Sequence, residues 1–352
     1  MGIRPAMVGF ILSADGLAAL IVQPLITPLV HIGNARRWLF GGSFLFSAAL
    51  FMVGHISTVS LLVVARLLQG TGFICVLASL ITMIVPCIPP GMSGRAFGYV
   101  SLVRLIPYAV IPLLFDLFAI APSSFAIVLD VAALTALLPV VVLMVPLRPL
   151  AEAPDSASSP GMAGMAASLS SRPVLLLLTS ALLFFCGYSA IFFYLKQFAT
   201  SVGITSASLF FTIATLTMIG IRLLGGWLFD RYSKVFLCAA GLFTVAGCYG
   251  LLPLCHSSRM LFVLAVFSGL GWGIAMPLQA AAMFDISPSS VRAMNQNLLL
   301  VMMQGGFFLG PFLGGQLIAR FGYTTLFIGL ALSGIAAGFL MTAIKPPRPQ
   351  KA

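Results

Sequence analysis

The loop that decides the fold reads Gly226-Trp227-Leu228-Phe229-Asp230-Arg231-Tyr232-Ser233-Lys234 and separates two long apolar stretches. A weaker copy stands about 198 residues earlier, where Pro28, Ile32, Gly33 and Arg36 occupy the corresponding positions. Further pairs keep nearly the same offset, namely Gly70 with Gly269, Arg95 with Arg292, and Pro112 with Pro311. The chain therefore contains a two-fold internal repeat.

Composition places this repeat in a membrane. Apolar residues form 61% of the chain and charged residues only 7%, whereas soluble domains carry about 25% charged residues. Continuous apolar stretches of about 20 residues recur, each long enough to cross about 30 Å of hydrocarbon. Only helices or closed barrels satisfy their backbone in lipid. Because the apolar stretches are continuous rather than alternating, we expect an all-α membrane protein.

We expect about eleven transmembrane helices, five in one half and six in the other. The stretches lie at roughly 7–30, 38–56, 59–84, 97–118, 123–146, 174–197, 206–229, 235–254, 260–284, 295–318 and 322–343. Segment 147–172 is rich in Pro, Ser and Gly, which is typical of a flexible linker. The predicted domains are an N-terminal half (1–146), a cytoplasmic linker (147–172), a C-terminal half (173–344) and a cytoplasmic tail (345–352).

Positive charge is concentrated on one side of these spans. That side carries Arg36, Arg37, Arg95, Arg148, Arg172, Arg231, Lys234, Arg292, Lys345, Arg348 and Lys351, and the other carries Arg4, Lys196, Arg259 and Arg320. Because cytoplasmic loops carry the excess of Lys and Arg, we expect a cytoplasmic C-terminus and a bacterial-type inner (plasma) membrane. The net charge of +11 is then an orientation signal, and no nucleic-acid partner is expected.

The loop at Gly226 resembles the loop signature of the major facilitator superfamily, whose members have two six-helix halves around a central cavity. The matching residues are Gly226, Asp230, Arg231 and Lys234, with Ser233 where the family usually has glycine. The resemblance implies a conformational latch, in which Gly226 allows close helix approach and Asp230 faces a helix N-terminus, where the dipole favours negative charge. The alternative is a reverse turn that carries a positive-inside pair.

A second resemblance lies in the third span, where Arg66, Gln69 and Gly70 match the family's fourth-helix motif. An arginine inside a span is costly and usually faces a cavity or a partner. The second half has Ala265 at the equivalent position, so the charge belongs to one half only. We expect a role in substrate or proton handling. The alternative is a structural ion pair with Asp15, which is also the acid best placed for proton exchange.

Two further arginines lie within spans. Arg222 precedes Asp230 by about eight residues, or about 12 Å on a helix, and Arg104 is similarly deep. Either residue could line the inner cavity or snorkel to the interface, and we favour snorkelling.

Three neutral polar residues, Tyr188, Gln279 and Gln304, fall on spans that match cavity-lining helices of the family. Hydrogen bonds between helices are the commoner explanation of buried amides and phenols. The full substrate or proton track that we expect is Asp15, Arg66, Gln69, Arg104, Tyr188, Arg222, Gln279 and Gln304.

A glycine motif in the tenth span resembles the family's fifth- and eleventh-helix motif. It consists of Gly306, Gly310, Pro311, Gly314 and Gly315. Small residues let helices approach closely and proline bends a span, so we interpret the motif as a helix-packing element. The first-half equivalent keeps Pro112 but loses the glycines.

Enzymatic chemistry is not indicated. The three histidines have neither metal-ligand nor catalytic-triad spacing. No phosphate-binding loop is present in the sequence, so we expect neither ATP hydrolysis nor a bound cofactor or metal. The six scattered cysteines are interpreted as small buried apolar residues.

These observations predict a secondary transporter of a small organic solute that works by alternating access, with efflux favoured. Its expected partners are the lipid bilayer, the solute, and protons or another coupling ion. The span from Pro173 to about Phe198, which opens the second half, has no counterpart after Met1, so we expect the first family helix to be absent. The alternative function is therefore a non-transporting truncated membrane protein or a helical interaction partner.

Overall fold

The computed structural model describes residues 5–56, 58–89, 91–107, 111, 124–144, 161–204 and 207–344, and of residues 5–15 it describes only the backbone. The regular elements in these ranges are helical. The α-helices are α1 (Pro5–Ile26), α2 (Ala35–His55), α3 (Val59–Ile84), α4 (Ser93–Val103), α5 (Phe125–Thr135), α6 (Leu138–Met144), α7 (Gly161–Ser170), α8 (Arg172–Ser201), α9 (Ala207–Leu224), α10 (Gly226–Arg231), α11 (Lys234–Leu251), α12 (Ser258–Ile286) and α13 (Arg292–Thr342).

The helices confirm the predicted all-α membrane fold. Within the described residues, eight helical segments are long and apolar enough to cross a membrane, and α5 and α6 together form one of them, Phe125–Met144. Helix α13 covers two of the predicted spans, 295–318 and 322–343. The two are separated at Gly322, whose backbone is not helical (φ 79°, ψ 179°). Helix α4 covers the beginning of the predicted span at 97–118, of which residues 108–110 and 112–118 lie outside the described residues.

Local sequence explains where several helices begin. The Ser233 hydroxyl accepts a hydrogen bond from the Phe236 amide at the start of α11, at 3.4 Å. The Ser257 hydroxyl does the same for Met260 at the start of α12, at 3.3 Å. Such caps satisfy amides that have no partner inside the helix. Pro173 stands in the first turn of α8, where its missing N–H costs nothing.

The chain divides into two compact units. The first comprises Met1–Cys87, Phe115–Ala167 and Ser289–Gln304, and the second comprises Ile88–Leu114, Ser168–Pro288 and Gly305–Ala352. Each unit thus combines segments from both predicted halves. The predicted domain boundaries stay a prediction, because residues 145–160 of the linker lie outside the described residues.

Glycines allow close helix packing inside each unit. In the first unit, a Cβ on Gly72 of α3 would lie 2.6 Å from the Phe46 amide nitrogen of α2. In the second unit, a Cβ on Gly269 of α12 would lie 2.5 Å from the Ala214 carbonyl oxygen of α9. Small residues serve this purpose in membrane helices, since close approach maximises van der Waals contact.

Candidate functional site

One charge contact in the second unit joins Asp230 to the start of α4. Its Oδ1 accepts a hydrogen bond from the Gly94 amide at 2.9 Å, and its Oδ2 accepts one from the Arg95 amide at 3.3 Å. Asp230 lies in the last turn of α10, so a carboxylate meets the positive end of the α4 dipole. The carboxylate therefore occupies the expected position at a helix N-terminus, while its role as a latch stays a prediction.

The close approach at this contact depends on Gly94 rather than on Gly226. A Cβ on Gly94 would lie 2.7 Å from both the Asp230 Oδ1 and the Phe229 carbonyl oxygen. A Cβ on Gly226 would meet only the Arg95 Cγ, at 3.7 Å, which is ordinary van der Waals contact. The expectation that Gly226 permits the close approach is therefore wrong, because the tight contact is made by Gly94 of α4 against Phe229 and Asp230.

Lys234 belongs to a second network beside this contact. Its Nζ donates to the Asp285 Oδ2 at 2.6 Å and to the Ser93 hydroxyl at 2.7 Å. The Ser93 hydroxyl in turn donates to the Asp285 Oδ1 at 2.7 Å. The side chains of Lys234 and Asp285 are 13% and 25% exposed, so solvent screens the pair only in part. The network joins the beginnings of α4 and α11 to the end of α12.

The remaining latch residue, Arg231, points elsewhere. Its guanidinium carbon lies 5.9 Å from the centre of the Trp227 ring, within cation–π range. Both residues are exposed and both belong to α10. The structure therefore pairs Arg231 with its own helix, and the Asp230 and Lys234 contacts do not include it.

Arg222 holds the other end of α4. Its Nη1 donates to the Ser101 carbonyl oxygen at 3.0 Å, its Nε to the Gly273 carbonyl oxygen at 3.4 Å, and its Nη2 to the Met276 sulfur at 3.5 Å. The side chain is only 1% exposed. The favoured expectation that Arg222 snorkels is therefore wrong, because carbonyl groups of α4 and α12 solvate the guanidinium inside the protein. Arg104, just past the end of α4, is exposed and interacts electrostatically with Arg222.

Aromatic rings surround Tyr188 next to this arginine. The Tyr188 ring lies 4.8 Å from that of Trp272 and 5.9 Å from that of Phe307, both in edge-on geometry. The Trp272 indole nitrogen donates to the Tyr249 hydroxyl at 3.0 Å. Trp272 directly precedes Gly273, whose carbonyl oxygen accepts from Arg222. The predicted track residues Tyr188 and Arg222 are thus neighbours, and Arg222 also interacts electrostatically with Tyr188.

Gln279 is completely buried on α12. Within the described part of the chain, neither its Nε2 nor its Oε1 has a hydrogen-bond partner. The expected hydrogen bond between helices is therefore not observed for this amide. Gln304 is half-buried on α13.

In the first unit, Arg66 donates from Nη1 to the Gln69 Oε1 at 2.8 Å. The two residues are three positions apart on α3, which places them on one face of the helix. The structure thus joins two members of the predicted track. The side chain of Asp15 lies outside the described residues, so its predicted pairing with Arg66 stays a prediction.

Neutral amides hold the start of α13 in the first unit, where the repeat would place a counterpart of the α4 contact. Asn297 donates from Nδ2 to the Thr82 hydroxyl at 3.2 Å, and Gln23 donates from Nε2 to the Asn297 carbonyl oxygen at 3.4 Å. The first-half loop has Ile32 where the second-half loop has Asp230. Repeat-related helix starts are therefore held by a carboxylate in one unit and by amides in the other.

The glycine motif packs α13 against α8. Cβ atoms on Gly306 and Gly310 would collide with the backbone of Cys186 and its neighbours. Those on Gly314 and Gly315 would meet the Tyr194 side chain at 2.9 Å and 2.8 Å, and the Tyr194 hydroxyl donates to the Pro311 carbonyl oxygen at 2.6 Å. These contacts agree with the packing interpretation of the motif.

Asp285 and Ser93 are the functional candidates that sequence reasoning missed. Asp285 is one of only seven acidic residues, and it lies at the end of a predicted span on the side with the cationic loops. An acidic residue next to cationic loops is a candidate for an ion pair, and this position could have identified Asp285. Ser93 gave none, because its contact with Asp285 joins residues 192 positions apart.

Comparison with known proteins supplies the family. The sequence profile of the Major Facilitator Superfamily matches residues 1–235 and 201–352. The quinolone resistance protein NorA of Staphylococcus aureus is 26% identical over 184 residues, which are 52% of this chain and 47% of NorA. The match thus spans about half the length of this curated relative.

Solved transporter structures share the fold. The E. coli fucose:proton symporter FucP gives a TM-score of 0.74 at 14% identity, over 97% of this chain and 91% of that one. The human organic anion transporter MFSD10 (TETRAN) gives 0.76 at 13% identity, over 95% and 83%. Because the family profile matches along the whole length, this chain is a multi-pass membrane protein that belongs to the Major Facilitator Superfamily, a family of transporters rather than enzymes.

Proposed function

We propose that this protein is a secondary transporter that moves a small organic solute by alternating access. In such proteins two sets of helices rock around a central site, so contacts near one face of the membrane must form in one state and break in the other. The observation that carries the proposal is the charged attachment of α4, in which Asp230 holds one end and Arg222 the other. Charge contacts of this kind favour one state by a free energy that a solute can offset.

The residues divide between two roles in this proposal. Asp230 and Lys234 make the contacts of the conformational latch, in which Asp285 is the partner of Lys234. Gly226 and Arg231 belong to the same segment of chain and make neither contact. The polar track for the solute or a proton consists of Asp15, Arg66, Gln69, Arg104, Tyr188, Arg222, Gln279 and Gln304.

The direction that we propose is efflux, and the coupling ion is the proton. The first is supported by the name of NorA, a quinolone resistance protein, and the second by that of FucP, a fucose:proton symporter. We place the protein in a bacterial inner membrane with its C-terminus in the cytoplasm, because the loop cations lie mainly on that side. Fusion of a fluorescent protein and of alkaline phosphatase to residue 344 tests this orientation, and phosphatase activity would contradict it.

Transport is tested in proteoliposomes that contain the purified protein and are given an inward or outward pH gradient. The solutes are a fluorescent quinolone, an aromatic amine, a neutral amide and an aromatic carboxylate, each radiolabelled or followed by its fluorescence. We expect gradient-driven flux of at least one solute, abolished by Asp230→Ala and retained in Arg259→Gln, which removes an exposed cation in the first turn of α12. Absence of flux for every solute with the unaltered protein would refute the proposal.

A further inference from the structure

Arg222 carries a buried positive charge that is matched by neutral groups. Its guanidinium donates to two backbone carbonyl oxygens and a thioether sulfur, and none of these acceptors within the described residues is a carboxylate. The side chain is 1% exposed, so bulk solvent hardly reaches the charge. Burial of an ion without a counter-ion costs several kcal/mol, about the stability of a small domain. An anionic group would compensate this charge.

A second polar side chain, on the same helix as the Met276 that contacts Arg222, also has no hydrogen-bond partner among the described residues. Gln279 lies one helical turn beyond Met276 on α12, and Met276 contacts the guanidinium. Its amide is 0% exposed, and both of its polar atoms lack partners among the described residues. A buried amide without hydrogen bonds costs about 1–3 kcal/mol. A ligand that accepts from Nε2 and donates to Oε1 would remove this cost.

The remaining surroundings favour an aromatic anion. A second cation, Arg104, interacts electrostatically with Arg222, which raises the local positive potential. The rings of Tyr188, Trp272 and Phe307 form an edge-on cluster, in which Tyr188 interacts electrostatically with Arg222 and Phe307 is 37% exposed. Aromatic rings pack well against an aromatic solute. The positive potential of the two arginines disfavours a cationic solute.

We propose that Arg222 and Gln279 form the binding subsite for the carboxylate of an aromatic organic anion with a neighbouring hydrogen-bond donor. The inference rests on the proposed transport function and specifies its solute. In the described state the Ser101 carbonyl oxygen of α4 occupies Arg222. A carboxylate is a stronger acceptor than a peptide carbonyl, so the solute displaces α4 from the guanidinium. Binding of the anion thereby favours the state in which this end of α4 is released.

The test compares two nearly isosteric probes, salicylate and its neutral analogue salicylamide. Equilibrium binding of radiolabelled salicylate to the full chain in nanodiscs is measured directly, and salicylamide is measured as its competitor. We expect saturable binding of salicylate. We also expect salicylamide to compete for this binding at least tenfold more weakly than unlabelled salicylate does. Equal competition by salicylamide, or no saturable salicylate binding, would overturn the inference. This comparison uses the unaltered protein and needs no variant to fold.

Variants separate ligand binding from a purely structural role. Arg222→Gln should weaken salicylate binding at least tenfold, Arg222→Lys should weaken it less, and Arg259→Gln should leave it unchanged. Gln279→Leu is the sharper variant. Replacement of an unpaired buried amide by an apolar group of similar size should keep or raise the melting temperature, while salicylate binding falls. Loss of stability with unchanged binding would overturn the assignment of Gln279.

Failure of this inference and failure of the transport proposal give different results. Selective salicylate binding without flux of any solute would contradict transport and leave the subsite standing. Flux of a neutral or cationic solute that Arg222→Gln does not reduce would support transport and contradict the subsite.

Discussion

Arg222 and Asp230 hold opposite ends of the same helix. Asp230 accepts from the amides of Gly94 and Arg95 at the first turn of α4, and Arg222 donates to the Ser101 carbonyl oxygen in its last turns. Both charges have the sign that the helix dipole favours at their end. Since both residues come from one continuous stretch of chain across α9 and α10, a movement of that stretch shifts both contacts together.

The contact of Asp230 with α4 should be measurable as stability. Asp230→Ala removes both the charge and the acceptor, and we expect a loss of about 1 kcal/mol in the free energy of unfolding. Asp230→Asn keeps an acceptor oxygen and should lose less. Thermal unfolding in detergent, followed by circular dichroism, measures both variants. Melting temperatures equal to that of the unaltered protein in both would show that the carboxylate does not hold α4.

Gly94 should tolerate no side chain, whereas Gly98 in the same helix should. Gly94→Ala places a Cβ 2.7 Å from the Phe229 carbonyl oxygen, so α4 must move away from α10. A Cβ on Gly98 would come no closer than 3.8 Å to the Phe229 ring. We expect a lower melting temperature for Gly94→Ala. The control Gly98→Ala should be neutral or up to about 1 kcal/mol more stable through helix propensity. Equal effects of the two variants would contradict the close contact.

The sequence predicted those features that depend on local pattern. The apolar stretches predicted the helices, and the repeat offset and loop signature predicted an acid at a helix start, where Asp230 lies. The prediction that Arg222 snorkels to the interface was wrong. The sequence gives the depth of this residue along its helix but not the groups of other helices that surround it. The carbonyl oxygens of Ser101 and Gly273 that solvate it belong to other helices and leave no trace in the local sequence.

The same reason explains one further error and one feature that the sequence did not predict. Gly226 is the glycine of the loop signature, but the close contact is made by Gly94, which lies in another part of the chain. The network of Lys234, Asp285 and Ser93 joins three helix ends, and only its lysine belongs to a recognisable motif. A pattern indicates that a loop is important, while the tertiary packing decides which atoms meet.

Lys234 and Asp285 should show strong energetic coupling. The variants Lys234→Met and Asp285→Asn each leave one partly buried partner without its counter-ion, so each should destabilise the protein. The double variant should lose less than the sum of the two, with a coupling free energy of roughly 0.5–3 kcal/mol. Chemical unfolding of all four proteins at low and high salt measures this term. Additive losses would show that the 2.6 Å contact contributes nothing specific.

Gly310→Ala should destabilise the protein even though alanine is the better helix former. Replacement of a helical glycine by alanine normally gains about 0.5–1 kcal/mol, and Gly247→Ala in α11, where a Cβ meets nothing within 4 Å, should show that gain. At Gly310 the added Cβ collides with the Cys186 carbonyl oxygen and the Ser189 hydroxyl of α8. Because the Ser189 hydroxyl also donates to the Gly306 carbonyl oxygen at 2.9 Å, separation of the helices costs a hydrogen bond as well as packing. The two variants should therefore shift the melting temperature in opposite directions. A gain at Gly310 equal to that at Gly247 would mean that α13 and α8 are not in contact at this glycine.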